Sequence, residues 1–216
     1  MPSMRSGLHG ERGELRWLSH WRDCRHEGKG LDCGAMPILR STTILAIWSE
    51  TERRGVIASD GQATFDTTVI KSNTKKVYRL NEGRVLAGFA GATSDCLSLL
   101  DKFEGKLKKY DGRLRRSAVE LTKEWRADPY LRDLEALLVA VSEEGVLMIS
   151  GSGDVLEPDE AVIGIGSGGA YALAAARAFL SVGGLPIAEV AQRSLKIAGS
   201  IDVYTNQEIT LEEVAW

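Results

Sequence analysis

The spacing of apolar residues changes character near Thr42. Residues 1 to 35 mix Gly, Arg, Glu and Trp with neither a period of two nor a period of 3.6, which predicts a leader with no packed face. From Thr43 to Trp48 the chain is almost wholly apolar. A polar segment, Ser49 to Arg54, separates that run from a second one, Gly55 to Ser59, and the pair predicts a β-hairpin. Further strands are predicted at Thr68 to Lys71, Lys76 to Leu80 and Arg84 to Phe89, the last two joined by the turn Asn81-Glu82-Gly83. Leu97, Leu100, Phe103 and Leu107 recur every three or four residues, as do Leu114, Ala118, Leu121 and Trp125. Two amphipathic helices are therefore expected, the second ended by Asp128-Pro129. A second hairpin (Ala136 to Val141 with Val146 to Ile149) and a strand (Ala161 to Ile165) follow. Helices then run over Ala170 to Leu180 and Ile187 to Ala198, the latter opened by Pro186. Ile201 to Tyr204 and Ile209 to Val214 read as closing strands.

Strands, two helices, strands, two helices, strands: this clustering differs from the strict alternation of a parallel doubly wound sheet. It predicts an α+β fold with antiparallel sheets and helices outside. With 216 residues, 44% hydrophobic content and a formal charge of -3, the chain suits one domain over residues 42–216. Residues 1–41 are then a leader or propeptide, or an upstream extension if translation starts at Met36. No apolar run approaches the roughly 18 to 20 residues that cross a bilayer, and the charged N-terminal region lacks a secretory core, so a cytoplasmic protein with no membrane partner is expected. Residues 1–41 hold seven Lys/Arg and five Asp/Glu, leaving 20 basic against 25 acidic groups in the body, a balance that argues against nucleic acid. Arg113, Arg115 and Arg116 read as a solvated helix face.

His9, His20 and His26 all precede Thr42, and of the cysteines only Cys96 follows it. The body therefore has no imidazole for a Ser-His-Asp or Cys-His apparatus or for a histidine-bearing zinc site. One cysteine also makes no internal disulfide, as in a reducing compartment. The spacing of His20, Cys24, His26 and Cys33 matches no common zinc pattern.

Several short stretches carry candidate chemistry. Gly164-Ile165-Gly166-Ser167-Gly168-Gly169 sits between a strand and a helix like a dinucleotide-binding turn. Glu189, however, falls within a predicted helix instead of at a second strand tip, where a ribose-binding carboxylate belongs. The alternative is a tight turn into a helix with Ser167 near a charged site. Asp60-Gly61-Gln62 follows one strand, Asn73-Thr74-Lys75-Lys76-Val77 precedes another, and Ala87-Gly88-Phe89-Ala90-Gly91 places glycines inside a strand-like run.

Together with Arg40-Ser41-Thr42-Thr43-Ile44-Leu45-Ala46-Ile47, these stretches resemble the proteasome-type N-terminal-threonine hydrolases. The likeness extends from Thr42 to about Val214 and includes Asp133 to Leu138 and Ile201 to Asn206. It implies a four-layer αββα sandwich and a threonine endopeptidase. It further implies a homo-oligomer of two stacked hexameric rings and an AAA+ ATPase that unfolds and threads protein substrates; ATP is consumed by that partner, since this chain has no P-loop pattern. By position Thr42 matches the nucleophile, Lys76 the site lysine and Asp60 the aspartate that holds it. Gly88 matches the residue whose N–H stabilises the oxyanion, and Ser167 the serine around the amine. Gly199, Asp202 and Thr205 match backbone carbonyls that hold a sodium ion, Asp202 standing where cysteine is commoner. No cofactor is implied for catalysis itself.

Without histidine, the base the resemblance implies is the Thr42 α-amine, freed if the Ser41–Thr42 bond is cleaved, with a reference pKa of about 7.7 to 8.0. Three features depart from the family pattern: a first hairpin turn about two residues longer, Ser59 in place of a frequent glycine, and the long leader. The leader leaves open a silent scaffold subunit whose Thr42 stays acylated, and the glycine-rich turn leaves open a nucleotide-dependent oxidoreductase.

Overall fold

The two runs on either side of the Ser49–Arg54 segment pair as an antiparallel hairpin, β1 (Thr43–Ser49) with β2 (Arg54–Asp60), in which Ile44 faces Ser59 and Ala46 faces Ile57. The computed structural model of the protein describes residues 42–65, 67–91, 93–127 and 136–216, all within a unit running from Ile38 to Trp216. Next come β3 (Ala63–Phe65), β4 (Thr68–Lys71), β5 (Val77–Leu80) and β6 (Val85–Ala90), then helices α1 (Thr93–Lys109) and α2 (Leu114–Ala127). Strands β7 (Leu137–Ser142), β8 (Gly145–Ser150), β9 (Val155–Leu156) and β10 (Val162–Gly166) precede α3 (Gly169–Val182) and α4 (Ile187–Gly199), and β11 (Ile209–Ala215) closes the chain.

Two sheets carry the fold, ordered β10-β1-β2-β11 and β5-β6-β7-β8-β9, with every pairing antiparallel. Both faces of each are buried, which explains the nearly continuous apolar runs. In β1, Ile44 and Ala46 point to the other sheet and meet Leu86, Val139 and Val141, whereas Leu45 and Ile47 point outward to Ala172, Ala176, Val190 and Leu195 of α3 and α4. On the far side, Leu99, Phe103 and Leu107 of α1 and Leu114, Leu121 and Trp125 of α2 pack on Phe89, Leu138, Ala140 and Leu147. Three apolar layers thus separate helices, sheet, sheet and helices, the expected αββα sandwich.

Some elements differ from the expectation. Ile201 to Tyr204 is a turn and not a strand: Ile201 and Val203 are exposed, and the Asp202 carboxylate accepts the Tyr204 N–H at 3.2 Å in a local side-chain turn that competes with extended structure. β3 and β9, three and two residues long, are too short to show an alternation. The Asp128-Pro129 stop, Asp133 to Glu135 and the His/Cys group before Thr42 lie outside the described residues. Arg113, Arg115 and Arg116 are exposed; Arg115 pairs with Glu157, and Arg116 lies over the Tyr110 ring. Among the described residues, no helix is long and apolar enough to cross a membrane.

Candidate active site

Thr42 enters β1 at the end of the central hairpin, 8% exposed, and its carbonyl accepts the Ser167 N–H at 3.1 Å. That approach depends on Gly166, which pairs with Thr43 and has φ +87°; a Cβ at Gly166 would lie 1.6 Å from the Thr42 carbonyl oxygen. The glycine-rich stretch therefore binds the start of β1. Ser167 and Gly168 spend their N–H groups on Thr42 and on Thr43 Oγ1 (2.9 Å), and β10 runs antiparallel to β1 with no βαβ unit. A pyrophosphate would find those donors occupied, so the geometry disfavours the dinucleotide reading.

Asp60 ends β2, and its carboxylate is fully buried. Oδ1 accepts the Lys76 ammonium at 2.7 Å and the Thr43 N–H at 2.8 Å, while Oδ2 accepts the Gln62 N–H at 2.8 Å. Three donors compensate its burial. Burial pushes the Lys76 ammonium below its usual range, and the charge of Asp60 and the hydrogen bond to it oppose that shift. Lys76 stands at the entry to β5, and its carbonyl accepts the Phe89 N–H at 3.3 Å, tying it to β6. Gly88 lies opposite Val77, the residue after Lys76, and its Cα faces Ile44: a Cβ there would lie 3.0 Å from the Ile44 side chain.

On the other side of Thr42, Ser167 Oγ donates to Asp202 Oδ2 at 2.7 Å, and Thr205 Oγ1 donates to the same oxygen at 2.5 Å. Asp202 and Thr205 occupy the turn after α4. Gly199 ends that helix, whose C-terminus is partially negative, and Asp202 and Thr205 follow within six residues; neutral main-chain oxygens are hard donors that suit an alkali cation better than a transition metal. Among the described residues no group of three or more His, Cys, Asp or Glu is placed to hold a metal. Asn206 fastens this turn to the site, accepting the Gly61 N–H at 3.1 Å and donating to the Ser72 carbonyl at 2.8 Å.

The structure thus sets Ser167 against Thr42 and the Asp60–Lys76 pair against Thr43, with Gly88 opposite Val77 and beside Ile44. Sequence reasoning missed Thr43, whose hydroxyl lies 2.6 Å from Thr205 Oγ1 and whose partners are 125 and 162 residues away in the chain. The threonine doublet was its only local sign. It also assigned Asp202 by its carbonyl alone and missed the carboxylate contacts.

Residues 38–214 match the family model described as proteasome subunit. The ATP-dependent protease subunit HslV of Chlorobium luteolum is 49% identical over 178 residues, 82% of this chain and 97% of that one. HslV of Chlorobium phaeobacteroides gives the same identity and coverage. The crystal structure of eukaryotic HslV from Trypanosoma brucei superposes with a TM-score of 0.75 at 40% identity, covering 81% of this chain and 99% of that one. Thiobacillus denitrificans BPH, solved in complex with epoxomicin, shares the fold at a TM-score of 0.64 and 19% identity, over 80% of this chain and 98% of that one. This chain belongs to the proteasome-subunit family, within its HslV branch.

Proposed function

We propose that the chain is a threonine-type endopeptidase, the proteolytic component of an ATP-dependent protease that degrades unfolded proteins delivered by an AAA+ partner of the HslU (ClpY) kind. The observation that carries this reading is the buried Lys76–Asp60 pair, hydrogen-bonded through Asp60 to the residue after Thr42, in a body that has no histidine. It is supported by the 49% identity to proteins named ATP-dependent protease subunit HslV over 97% of their length.

Once the Ser41–Thr42 bond is cleaved, the Thr42 α-amine takes the Oγ proton, directly or through a water, as Oγ attacks the substrate carbonyl carbon. The positive charge on Lys76 favours the neutral form of that amine by like-charge repulsion. Negative charge gathers on the carbonyl oxygen, where the Gly88 N–H stabilises it. The C–N bond breaks, the leaving amine receives the proton from the Thr42 ammonium, and water hydrolyses the remaining ester. Ser167 orders the surroundings of the amine.

The same reading makes the protein a cytoplasmic homo-oligomer of two stacked hexameric rings with Thr42 facing an inner chamber, and assigns ATP use to the partner alone. The carbonyls of Gly199, Asp202 and Thr205 would hold a structural sodium ion, which supplies a fixed positive charge to the turn and takes no part in bond breaking. The test is degradation of an unfolded protein by the mature chain with its ATPase. Turnover lost in Thr42→Ala is expected; an intact substrate with wild-type protein, or full activity in Thr42→Ala, refutes the reading.

A further inference from the structure

Two carboxylates, Asp60 and Asp202, are tied to the start of β1, and one residue touches both sets of contacts. Thr43 is fully buried. Its N–H is donated to Asp60 Oδ1 at 2.8 Å, on the Lys76 side, and its Oγ1 lies 2.6 Å from Thr205 Oγ1, on the Asp202 side. The direction of that second contact follows from counting protons. A carboxylate only accepts, so the 2.5 Å contact between Thr205 Oγ1 and Asp202 Oδ2 uses the single proton of Thr205. Thr43 must then be the donor to Thr205, and its oxygen accepts the Gly168 N–H at 2.9 Å. The result is a one-way chain: Gly168 N–H to Thr43, Thr43 to Thr205, Thr205 to Asp202.

We propose that Thr43 is a positioning residue that couples the Asp60–Lys76 pair to the Asp202 carboxylate and thereby fixes where Thr42 leaves β1. The proposal rests on the reading of Thr42 as the nucleophile. Asp202 sets the direction of the chain, because its carboxylate accepts from Thr205 and has no proton to return. Gly168 belongs to the same device: a Cβ there would lie 2.6 Å from Thr43 Oγ1 and 2.7 Å from Thr205 Oγ1, so the hydroxyls occupy the space a side chain would need. Thr43 makes no contact with substrate in this scheme. Its effect is on the geometry of attack, which falls on kcat and not on KM.

The test is steady-state kinetics of the assembled peptidase with its ATPase, on a peptide substrate. Thr43→Val is expected to lower kcat about tenfold with KM within about twofold, because small displacements at a reacting centre cost that much or more. Thr43→Ser, which keeps the hydroxyl, recovers most of the loss. Combining Thr43→Val with Asp202→Ala lowers kcat no further than the larger single loss, since both cut one chain of contacts. If Thr43→Val does not assemble, Asp202→Ala, cut from the half-exposed end, carries the same test. Wild-type kcat in either variant, or losses that multiply in the double variant, while Thr42→Ala is inactive, overturns the coupling alone. Wild-type turnover in Thr42→Ala overturns the nucleophile assignment and the coupling with it.

Discussion

Lys76 Nζ lies 2.7 Å from Asp60 Oδ1, and the two side chains are 5% and 0% exposed. A buried ion pair of this kind is a stability hazard when one member is removed. Lys76→Met leaves the Asp60 carboxylate buried with only the Thr43 and Gln62 N–H donors. The expected costs are about 3 kcal/mol of stability and about a hundredfold in kcat/KM. Urea unfolding and peptide hydrolysis check the two effects separately; a variant as stable and active as wild type contradicts the role given to the pair.

The depressed Lys76 pKa has a sign that unfolding measurements can read. Its ordinary value of 10.5 applies to the unfolded chain and the folded value is lower, so between the two the unfolded state holds more protons. Stability contributed by this group therefore rises with pH across that window, ending at about 10.5. Wild type should gain stability relative to Lys76→Met as pH climbs towards that value, and parallel stability curves would rule this out.

Activity should follow a bell in pH. The acid limb reports the Thr42 amine, at or below its reference of about 7.7 to 8.0 because of the neighbouring ammonium. The alkaline limb reports Lys76, below the 10.5 of an ordinary lysine. The profile of kcat/KM for wild type against Thr42→Ser, which keeps the amine, measures both; limbs that match no amine speak against the mechanism.

Gly88→Ala tests packing beneath the oxyanion site. The added Cβ would stand 3.0 Å from Ile44 Cδ1 and Cγ2 and 3.3 Å from Ile57 Cγ2, so the layer between the sheets must give way. Overpacking of this size costs about 1 to 3 kcal/mol. Thermal unfolding should show the loss, with kcat falling too because Ile44 adjoins Thr43; an unchanged melting temperature contradicts this packing.

Away from the site, Lys102 and Lys106 hold the Glu124 carboxyl at about 2 between α1 and α2. A lowered carboxyl pKa contributes stability that is present above 4.5 and lost as pH falls through about 2. The group is 36% exposed, so solvent screening limits the effect to about 1 kcal/mol. Glu124→Gln should melt slightly below wild type at neutral pH and converge with it in acid; a constant difference would exclude this linkage.

The layers of this fold were legible because their causes are local. Ile44, Leu45, Ala46 and Ile47 are apolar on both sides of one strand, and Leu114, Ala118, Leu121 and Trp125 mark one helix face. The turn at 201–204 was misread because Ile201 and Val203 imitate an alternation that faces solvent, while the contact that decides the turn belongs to Asp202. Asp60, Lys76 and Ser167 were identified through family resemblance, not through periodicity. The hydroxyl chain from Thr43 to Asp202 had no sequence signal, since hydrogen bonds across more than a hundred residues leave no spacing to read.

The central claim concerns which nitrogen accepts the Thr42 proton, and intact-mass analysis coupled to activity tests it most directly. Protein expressed from Met1 is followed through maturation while peptide hydrolysis with the ATPase is recorded. Turnover should grow in proportion to the species that begins at Thr42. Full hydrolysis by a preparation in which every chain still carries residues before Thr42 would contradict the account.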